Sequence, residues 1–234
     1  MTATQLTRRF KPIVFLACLG PAVLLVWHAF TGGLSVNPIE DVTHRTGNWT
    51  LRFLLITLAI TPARWATGWN AIIRFRRMLG LFTFLYATLH FSTYVVLDHF
   101  FALDVIIEDV IERKYVTAGF TGFVLLIPLA VTSSQAMMRR LGGKRWHALH
   151  QLIYVIAITG VVHFLWLVKL EIGEPLIYAA ILTVLLGTRL ATPSYPRRVW
   201  RFMRVRLYGW NLKGWRVPSR LRSADENAVR SSAS

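Results

Sequence analysis

Long apolar runs, separated by short charged turns, dominate the hydrophobic pattern of this chain. Six runs are long enough to cross about 30 Å of hydrocarbon as helices: 12–30, 50–66, 78–97, 116–137, 148–168 and 175–190. The second and sixth are short, with arginines near their ends whose long stems can reach the lipid headgroups. We therefore predict an all-α fold, a six-helix transmembrane bundle.

The same pattern divides the chain into three parts. A short N-terminus covers residues 1–11, the membrane domain covers 12–191, and a basic tail covers 192–234. The tail beyond Pro193 mixes arginines with Trp200, Trp210 and Trp215. We expect this tail to lie against anionic membrane lipid, with a disordered end.

Charged residues separate sharply between the two sides that six crossings would define. One side carries 22 of the 27 lysines and arginines, whereas the other carries nine of the 11 acids. The positive-inside rule then predicts cytoplasmic N- and C-termini. The net charge of +16 thus reports membrane topology, and nucleic-acid binding becomes a remote alternative.

Composition supports an integral membrane protein and removes some kinds of chemistry. The chain is 54% hydrophobic and only 16% charged, too apolar for an ordinary soluble domain. Its single cysteine, Cys18, cannot form an intrachain disulfide or hold an iron–sulfur cluster. The first apolar run lacks a small-residue cleavage pattern, so we do not expect a cleaved signal peptide.

Three histidines, His90, His150 and His163, lie inside the apolar runs, where other ionisable groups are almost absent. Polar residues at membrane depth indicate function, and a pair of imidazoles is a common axial ligand set for haem iron. His90 lies about 18 Å along the third helix and His163 about 20 Å beyond His150 on the fifth. Matched depth in the outer half of the membrane therefore predicts a haem between His90 and His163.

Small residues precede both histidines and admit two interpretations. Gly80, Thr83 and Ala87 line the face leading to His90, and Ala157 and Gly160 precede His163. They could let a flat macrocycle approach the backbone, or they could allow close helix packing.

His150 does not fit the simple pair. The 13 residues between it and His163 rotate the two rings about 140° apart in an ideal helix. Either the helix is distorted near Gly160, or the two imidazoles have different partners. The third helix offers no second histidine, and its Arg76 and Arg77 would suit a haem propionate better than iron. We therefore predict one haem b, with a second possible at His150.

The remaining histidines are weaker candidates. His28 lies at the outer end of the first helix and is expected to be interfacial. His44 and His99 are expected in outer loops, where simple solvation or contact with a proton or quinone are both open.

Several motifs resemble the MsrQ (YedZ) family, the haem-binding membrane subunits of the bacterial periplasmic methionine sulfoxide reductase system. The resemblance covers the first to the sixth helix, including the outer Asn37-Pro38 and His44 region, and leaves out most of the tail. Its motifs are Arg76-Arg77-Met78-Leu79-Gly80-Leu81, Ala87-Thr88-Leu89-His90, Thr132-Ser133-Ser134-Gln135-Ala136-Met137, Trp146-His147-Ala148-Leu149-His150 and His163-Phe164-Leu165-Trp166.

The resemblance implies a b-type cytochrome of the bacterial inner membrane. It would form a heterodimer with MsrP, a periplasmic molybdenum-cofactor enzyme that reduces methionine sulfoxide in proteins, so the catalytic centre would lie on the partner. The family also implies quinol as donor and an associated FMN. The broader ferric reductase-like relatives carry two histidines on each of two helices, and this chain lacks the second histidine on the third helix.

Two other observations restrict the mechanism. No Gly-rich dinucleotide fingerprint is present, and 43 residues follow the sixth helix, which we expect to be too few for a flavin or nicotinamide domain. Electrons are therefore expected from a membrane quinol or a separate flavoprotein. The alternatives are a proton-relay transporter without haem, which would favour acids inside the helices, and a plain membrane anchor.

The outer segment 98–114 alternates apolar and acidic residues. This pattern predicts an amphipathic helix on the periplasmic interface. Such a helix could cap the bundle or could be a docking surface for the partner.

Overall fold

The structure, a computed structural model, describes residues 3–168 and 172–191, and all regular elements in this part are helical. The predicted tail, 192–234, lies outside the described residues, so its contact with lipid stays a prediction. The described residues form nine α-helices, with a 3₁₀ turn (Asn70–Phe75) before the third and a π-helical turn (Thr93–Asp98) after it. These are α1 Ala3–Thr31, α2 Pro38–Thr67, α3 Arg76–Ser92, α4 Leu103–Glu112, α5 Lys114–Val131, α6 Gln135–Leu141, α7 Gly143–His150, α8 Leu152–Leu167 and α9 Gly173–Ala191.

Five helical segments are long and apolar enough to cross a membrane. They are Arg9–Thr31, Asn70–Asp98, Lys114–Val131, Gly143–Leu167 and Gly173–Ala191. This confirms the prediction of an all-α membrane protein with several crossings. The remaining predicted span, 50–66, falls within α2, which is not one of the five. The sixth crossing and the cytoplasmic termini therefore stay predictions.

The start of α2 differs from the sequence expectation. Pro38 occupies the first turn and the Asn37 side chain accepts a hydrogen bond from the Glu40 amide, so the helix begins 12 residues before the apolar run. His44 therefore lies in a helix, and the prediction of an outer loop there was wrong. Asn37 caps this end of the helix, and its first turn carries the acidic residues Glu40 and Asp41. In particular, the Arg45 guanidinium bonded to Asp41 lowers the pKa of that carboxyl.

Helix α2 ends at Gly68, whose φ of 67° is a left-handed conformation that favours glycine. Between its ends the helix contributes more buried residues than any other element. Leu58 is fully buried and belongs to a core cluster shared with Ala157 of α8, while Phe53 and Ile60 belong to a second cluster with α3. Helix α2 is therefore less apolar than the five spans, and it is covered by other helices of the protein.

Two antiparallel helix pairs form the frame of the bundle. In the first pair, α2 packs on α3, so that Thr43 lies beside His90 and Thr57 beside Gly80. In the second pair, α5 packs on α8, with Tyr115 beside His163. These are the two most extensive contacts between helices in the described part. Each pair brings the start of one helix to the end of the other.

Two helix boundaries differ from the predicted spans, and at the first of them side chains compete for backbone groups. The fourth span was expected to reach residue 137, but α5 ends at Val131. There the Thr132 hydroxyl donates to the Pro128 carbonyl (2.6 Å) and Ser134 caps α6. The fifth span is interrupted at Gln151, between α7 and α8, and not near Gly160.

We predict that Leu58→Ala destabilises the bundle by about 3 kcal/mol, because the cavity in α2 removes packing on both neighbouring helices. Thermal unfolding of the purified protein in detergent would measure this loss. Leu85→Ala is the matched control, since Leu85 of α3 is 40% exposed. Equal melting temperatures for the two variants would contradict the central position of α2.

Candidate functional site

Two of the three predicted site histidines meet between the helix pairs. His90, near the end of α3, and His163, near the end of α8, have ring centroids 6.1 Å apart and ring planes inclined by 76°. They lie 73 positions apart in the chain. Folding of the helices therefore brings the two rings together, in agreement with the matched heights that the sequence predicted.

A backbone carbonyl orients each of these rings. The Nδ1 atom of His90 donates to the Thr43 carbonyl oxygen (2.9 Å), and Nδ1 of His163 donates to the Tyr115 carbonyl oxygen (2.7 Å). A carbonyl can only accept, so Nδ1 must carry the proton in both rings. The Nε2 atom of each ring is then left with its lone pair, which is the protonation state that a metal-binding imidazole needs.

A glycine makes room for each ring. Gly47 and Gly119 each lie four residues after the carbonyl that holds the histidine. A Cβ added at Gly119 would lie 2.7 Å from Nδ1 of His163, and one at Gly47 would lie 3.0 Å from Cε1 of His90. The carbonyl, the glycine and the histidine therefore form the same arrangement in both helix pairs.

Sequence reasoning missed Gly47 and Gly119 and selected other small residues. A Cβ at Gly80 would be 3.9 Å from Thr57, and one at Gly160 would be 3.7 Å from Leu51, both ordinary packing distances to α2. Ala157 is part of the buried core. These contacts favour the helix-packing interpretation. The signal that could have found the two glycines is their position at the starts of α2 and α5, opposite the histidines.

The separation of the two histidine rings fits a metal ion bound between them, with one imidazole on each side. Two imidazole–metal bonds of about 2 Å each, with the radius of each ring added, give a centroid separation of about 6 Å. Within the described residues, no group of three or more His, Cys, Asp or Glu side chains could hold a metal ion. Two axial imidazoles suit an iron whose other ligands come from a macrocycle.

His150 contacts other residues than His163 does, which agrees with the second alternative from the sequence, that the two imidazoles have different partners. Its ring stacks on Trp146 with centroids 4.0 Å apart, and Nε2 lies 3.1 Å from the Thr132 hydroxyl. That hydroxyl already donates its only proton to Pro128, so Nε2 of His150 must be the donor. The structure thus separates His150 from the pair formed by His90 and His163.

A network of polar side chains lies close to the pair, around the C-terminal end of α4. Buried Asp109 of α4 accepts hydrogen bonds from the Tyr94 hydroxyl (3.2 Å) and from His99 Nε2 (3.2 Å), and it forms an ion pair with Arg113 Nε (3.1 Å). Arg113 also reaches the hydroxyl of Tyr115, the residue whose carbonyl holds His163. The predicted amphipathic helix in segment 98–114 is present as α4 and is connected to the histidine site.

The other predicted histidines lie at the same end of the bundle as the pair. His99 has both ring nitrogens near acceptors, since Nδ1 lies 3.1 Å from the Tyr94 carbonyl oxygen. His28 lies in the last turn of α1 and lines a cleft of about 140 Å³ together with Arg45, Trp49 and Tyr86. His44 is exposed.

Comparison with known proteins gives consistent relatives. Residues 46–161 match the family model described as "Ferric reductase like transmembrane component". The chain is 50% identical to the protein-methionine-sulfoxide reductase heme-binding subunit MsrQ of Herminiimonas arsenicoxydans, over 77% of this chain and 84% of that protein. The Rhodospirillum rubrum protein of the same name is 51% identical, over 79% and 88%. The Xanthomonas euvesicatoria protein is 50% identical, over 80% and 88%.

We expect Gly119→Ala to lower stability by about 1–3 kcal/mol, because the new methyl group must displace the His163 ring. Alanine is otherwise the better helix former by about 1 kcal/mol, so a net loss would report the clash. Gly160→Ala, which adds only ordinary contacts, should leave the melting temperature unchanged or raise it. Both variants can be compared by thermal unfolding in detergent. Equal behaviour would refute the close approach.

Proposed function

The chain belongs to the MsrQ family of protein-methionine-sulfoxide reductase heme-binding subunits, and from this premise we propose that it carries electrons through haem b. The chain would connect an electron donor of the bacterial inner membrane to a periplasmic molybdenum-cofactor reductase that repairs methionine sulfoxide. The observation that carries this proposal is the pairing of His90 and His163 with both Nδ1 atoms bonded to backbone carbonyls.

His90 and His163 would hold the iron through their Nε2 atoms. Haem, when bound, supplies a one-electron redox centre. The chain supplies the rest: Thr43 and Tyr115 fix the tautomer and ring orientation, and Gly47 and Gly119 keep space for the imidazoles. Hydrogen bonds from Nδ1 to carbonyls also raise the basicity of the ligating nitrogen. The catalytic centre would lie on the partner, and no residue of this chain is assigned a catalytic role.

The orientation that we propose has six crossings with both termini in the cytoplasm. Buried α2 would be the sixth crossing, because Thr43 at its start and Arg64 near its end lie at opposite ends of the frame formed with α3. The division of the charges along the chain supports this topology. The histidine pair then lies in the periplasmic half of the membrane, close to an electron acceptor outside.

The donor that we propose is a membrane quinol or a separate flavoprotein, and an associated FMN follows from the resemblance to the family. A second haem at His150 is a weaker proposal. The Nε2 atom of that ring donates to Thr132, so ligation through it would require this hydrogen bond to break. One haem is therefore the stoichiometry that we favour.

We further propose that α4 is where the periplasmic partner docks, forming the heterodimer. One exposed stripe of this helix is acidic (Asp104, Glu108 and Glu112), and the neighbouring stripe is apolar (Leu103, Ile107 and Ile111). Phe100 and Phe101 precede the helix with φ of 47° and 61° and stand 77% and 63% exposed. A left-handed conformation is costly for bulky residues, and such strain often accompanies a functional surface. On the buried face of α4, Asp109 forms an ion pair with Arg113, and Arg113 donates a hydrogen bond to the Tyr115 hydroxyl.

We predict that His90→Ala and His163→Ala each abolish the low-spin b-type signal in a reduced-minus-oxidised absorbance spectrum, because each removes one axial ligand. The haem-to-protein ratio of the purified variants should fall with the signal. His44→Ala, at an exposed position of α2, is the control and should keep both. Full retention of low-spin haem in either ligand variant would overturn the assignment. A featureless spectrum of the wild-type protein, expressed with sufficient haem, would favour a membrane anchor or a proton relay.

We also expect neutralisation of the acidic stripe (Asp104→Asn, Glu108→Gln and Glu112→Gln together) to slow oxidation of the reduced haem by the partner roughly tenfold at low salt. The reason is the loss of electrostatic attraction to a basic surface of the partner. Stopped-flow spectroscopy at several salt concentrations would also show a weaker salt dependence. Glu40→Gln, an exposed acid outside α4, should behave as wild type. Unchanged rates in the triple variant would exclude α4 as the docking surface.

A further inference from the structure

His99 lies between two hydrogen-bond acceptors at the same end of the bundle as the histidine pair. It directly follows the π-helical turn, and its side chain is 12% exposed. Its Nδ1 atom lies 3.1 Å from the Tyr94 carbonyl oxygen, and its Nε2 atom lies 3.2 Å from a carboxylate oxygen of Asp109. Each ring nitrogen therefore faces an oxygen atom, in a site with little access to water.

These two contacts indicate which form of the ring the site accommodates. A carbonyl oxygen can only accept a hydrogen bond, and so can an ionised carboxylate. The Arg113 guanidinium forms an ion pair with the other Asp109 oxygen (3.1 Å), which is the arrangement of an ionised carboxylate. A neutral imidazole carries one proton and satisfies only one of the two acceptors. The cationic ring of His99, with a proton on each nitrogen, satisfies both.

The charges nearest to His99 favour this cationic form. Asp98 of the π-helical turn lies 3.5 Å from Nδ1, and Asp109 of α4 lies beside Nε2. The cation of this cluster, Arg113, pairs with Asp109, and the Tyr94 hydroxyl donates to the same carboxylate (3.2 Å). Two carboxylates therefore face one imidazole, and opposite charges nearby stabilise a protonated ring.

The remaining titratable groups of the surrounding helices do not contact this imidazole. Glu40 and His44 at the start of α2 are exposed, and so is Lys114 at the start of α5. Tyr115 of α5 is half-buried, and its hydroxyl accepts a hydrogen bond from Arg113. Within the described residues, the hydrogen bonds and ion pairs of the imidazole involve only the π-helical turn and α4.

The π-helical turn connects His99 to His90. The turn begins at Thr93, whose hydroxyl donates to the His90 carbonyl oxygen (2.7 Å). Tyr94 follows His90 by four residues, or about one helical turn. Its ring lies against the imidazole of His99, with centroids 4.3 Å apart. Tyr94 is therefore one turn from His90 and in direct contact with His99.

A second connection leads from Asp109 to His163. Arg113 pairs with Asp109 and donates a hydrogen bond to the Tyr115 hydroxyl. The Tyr115 ring has its centroid 6.2 Å from that of His163. The cluster around His99 thus shares neighbours with both rings of the pair, so a charge in the cluster acts on a charge bound between those rings.

We propose that His99 takes up a proton from water when the site between His90 and His163 gains an electron, and releases it when the electron leaves. This inference rests on the haem that we propose between those two rings. The electron comes from the proposed donor and the proton from the solvent, so the site gains one negative charge and the imidazole one positive charge. Each charge stabilises the other, which couples electron transfer to proton binding.

The sign of the pH dependence follows from this coupling. A cationic His99 stabilises the reduced site, so the haem potential falls as the pH rises and the ring loses its proton. The charge of histidine normally changes between about pH 5 and 8. Two unit charges about 12 Å apart, at an effective dielectric constant of about 20, change an equilibrium about tenfold. The potential should therefore fall over that range by up to about 59 mV, which is a tenfold change for one electron.

Spectroelectrochemical titration of the purified full-length protein between about pH 5 and 8 measures this fall. His99→Gln can still donate to Asp109 but does not titrate, and its potential should be independent of pH. His44→Gln is the matched control, because solvent screens this exposed histidine, and it should keep the fall. Asp109→Asn removes an anion that stabilises the cationic ring, so its fall should move to lower pH.

Nitrogen-15 NMR of histidine-labelled protein tests the protonation of the ring without reference to haem. The signal that His99→Gln loses should come, at about pH 6, from a ring with a proton on each nitrogen. A signal from a neutral ring would show a histidine that only fastens the π-helical turn to α4, and it would overturn the proposal while leaving the haem assignment intact.

The proposal would also be overturned by a wild-type potential that does not change with pH, by an unchanged fall in His99→Gln, or by loss of the fall in His44→Gln. A wild type without low-spin haem would instead overturn the haem assignment, and the coupling with it. Thermal unfolding and the low-spin spectrum would verify the fold and the ligation of each variant. Asp109→Asn tests the same coupling if His99→Gln does not fold.

Discussion

The hydrogen bond from a histidine to a backbone carbonyl, made once in each helix pair, is the interaction on which the rest of this structure depends. Thr43 holds His90 and Tyr115 holds His163, and each bond fixes both the ring orientation and the nitrogen that carries the proton. A helical carbonyl can accept from a side chain only if the neighbouring helix approaches closely. Glycine four residues later permits that approach, so the backbone of two helices determines the chemistry of two side chains.

The two ends of the bundle have opposite chemical character. The end that holds the histidine pair combines these two neutral rings, the Asp109 network and an exposed helix with an acidic stripe. The other end gathers arginines around Tyr154 and the Leu58 carbonyl, with no acid among the described neighbours. Buried α2 connects both ends, and its polar and small residues serve contacts with protein. This explains why the helix with the most buried residues is not one of the five most apolar segments.

Much of the fold could be predicted because membrane helices follow from apolar runs, and the boundaries that failed did so for local reasons. Hydroxyl groups of Thr132 and Ser133 bond to the preceding carbonyls and end α5 early. Asn37 and Pro38 start α2 well before the apolar run. These hydrogen bonds from side chains to the backbone hardly change the hydropathy of a segment. A boundary read from hydropathy therefore misses them, whereas the structure shows them directly.

The sequence by itself determined the membrane class, most of the helical spans and the matching heights of His90 and His163 along their helices, because all of these depend on local composition and on the constant rise of a helix. Only the tertiary structure decided which small residues face the rings, why His150 stands apart with Trp146 and Thr132, and where the arginines meet. Those features depend on how helices distant in sequence are rotated and paired. Rotation and pairing arise from packing across the whole bundle, which no single segment encodes.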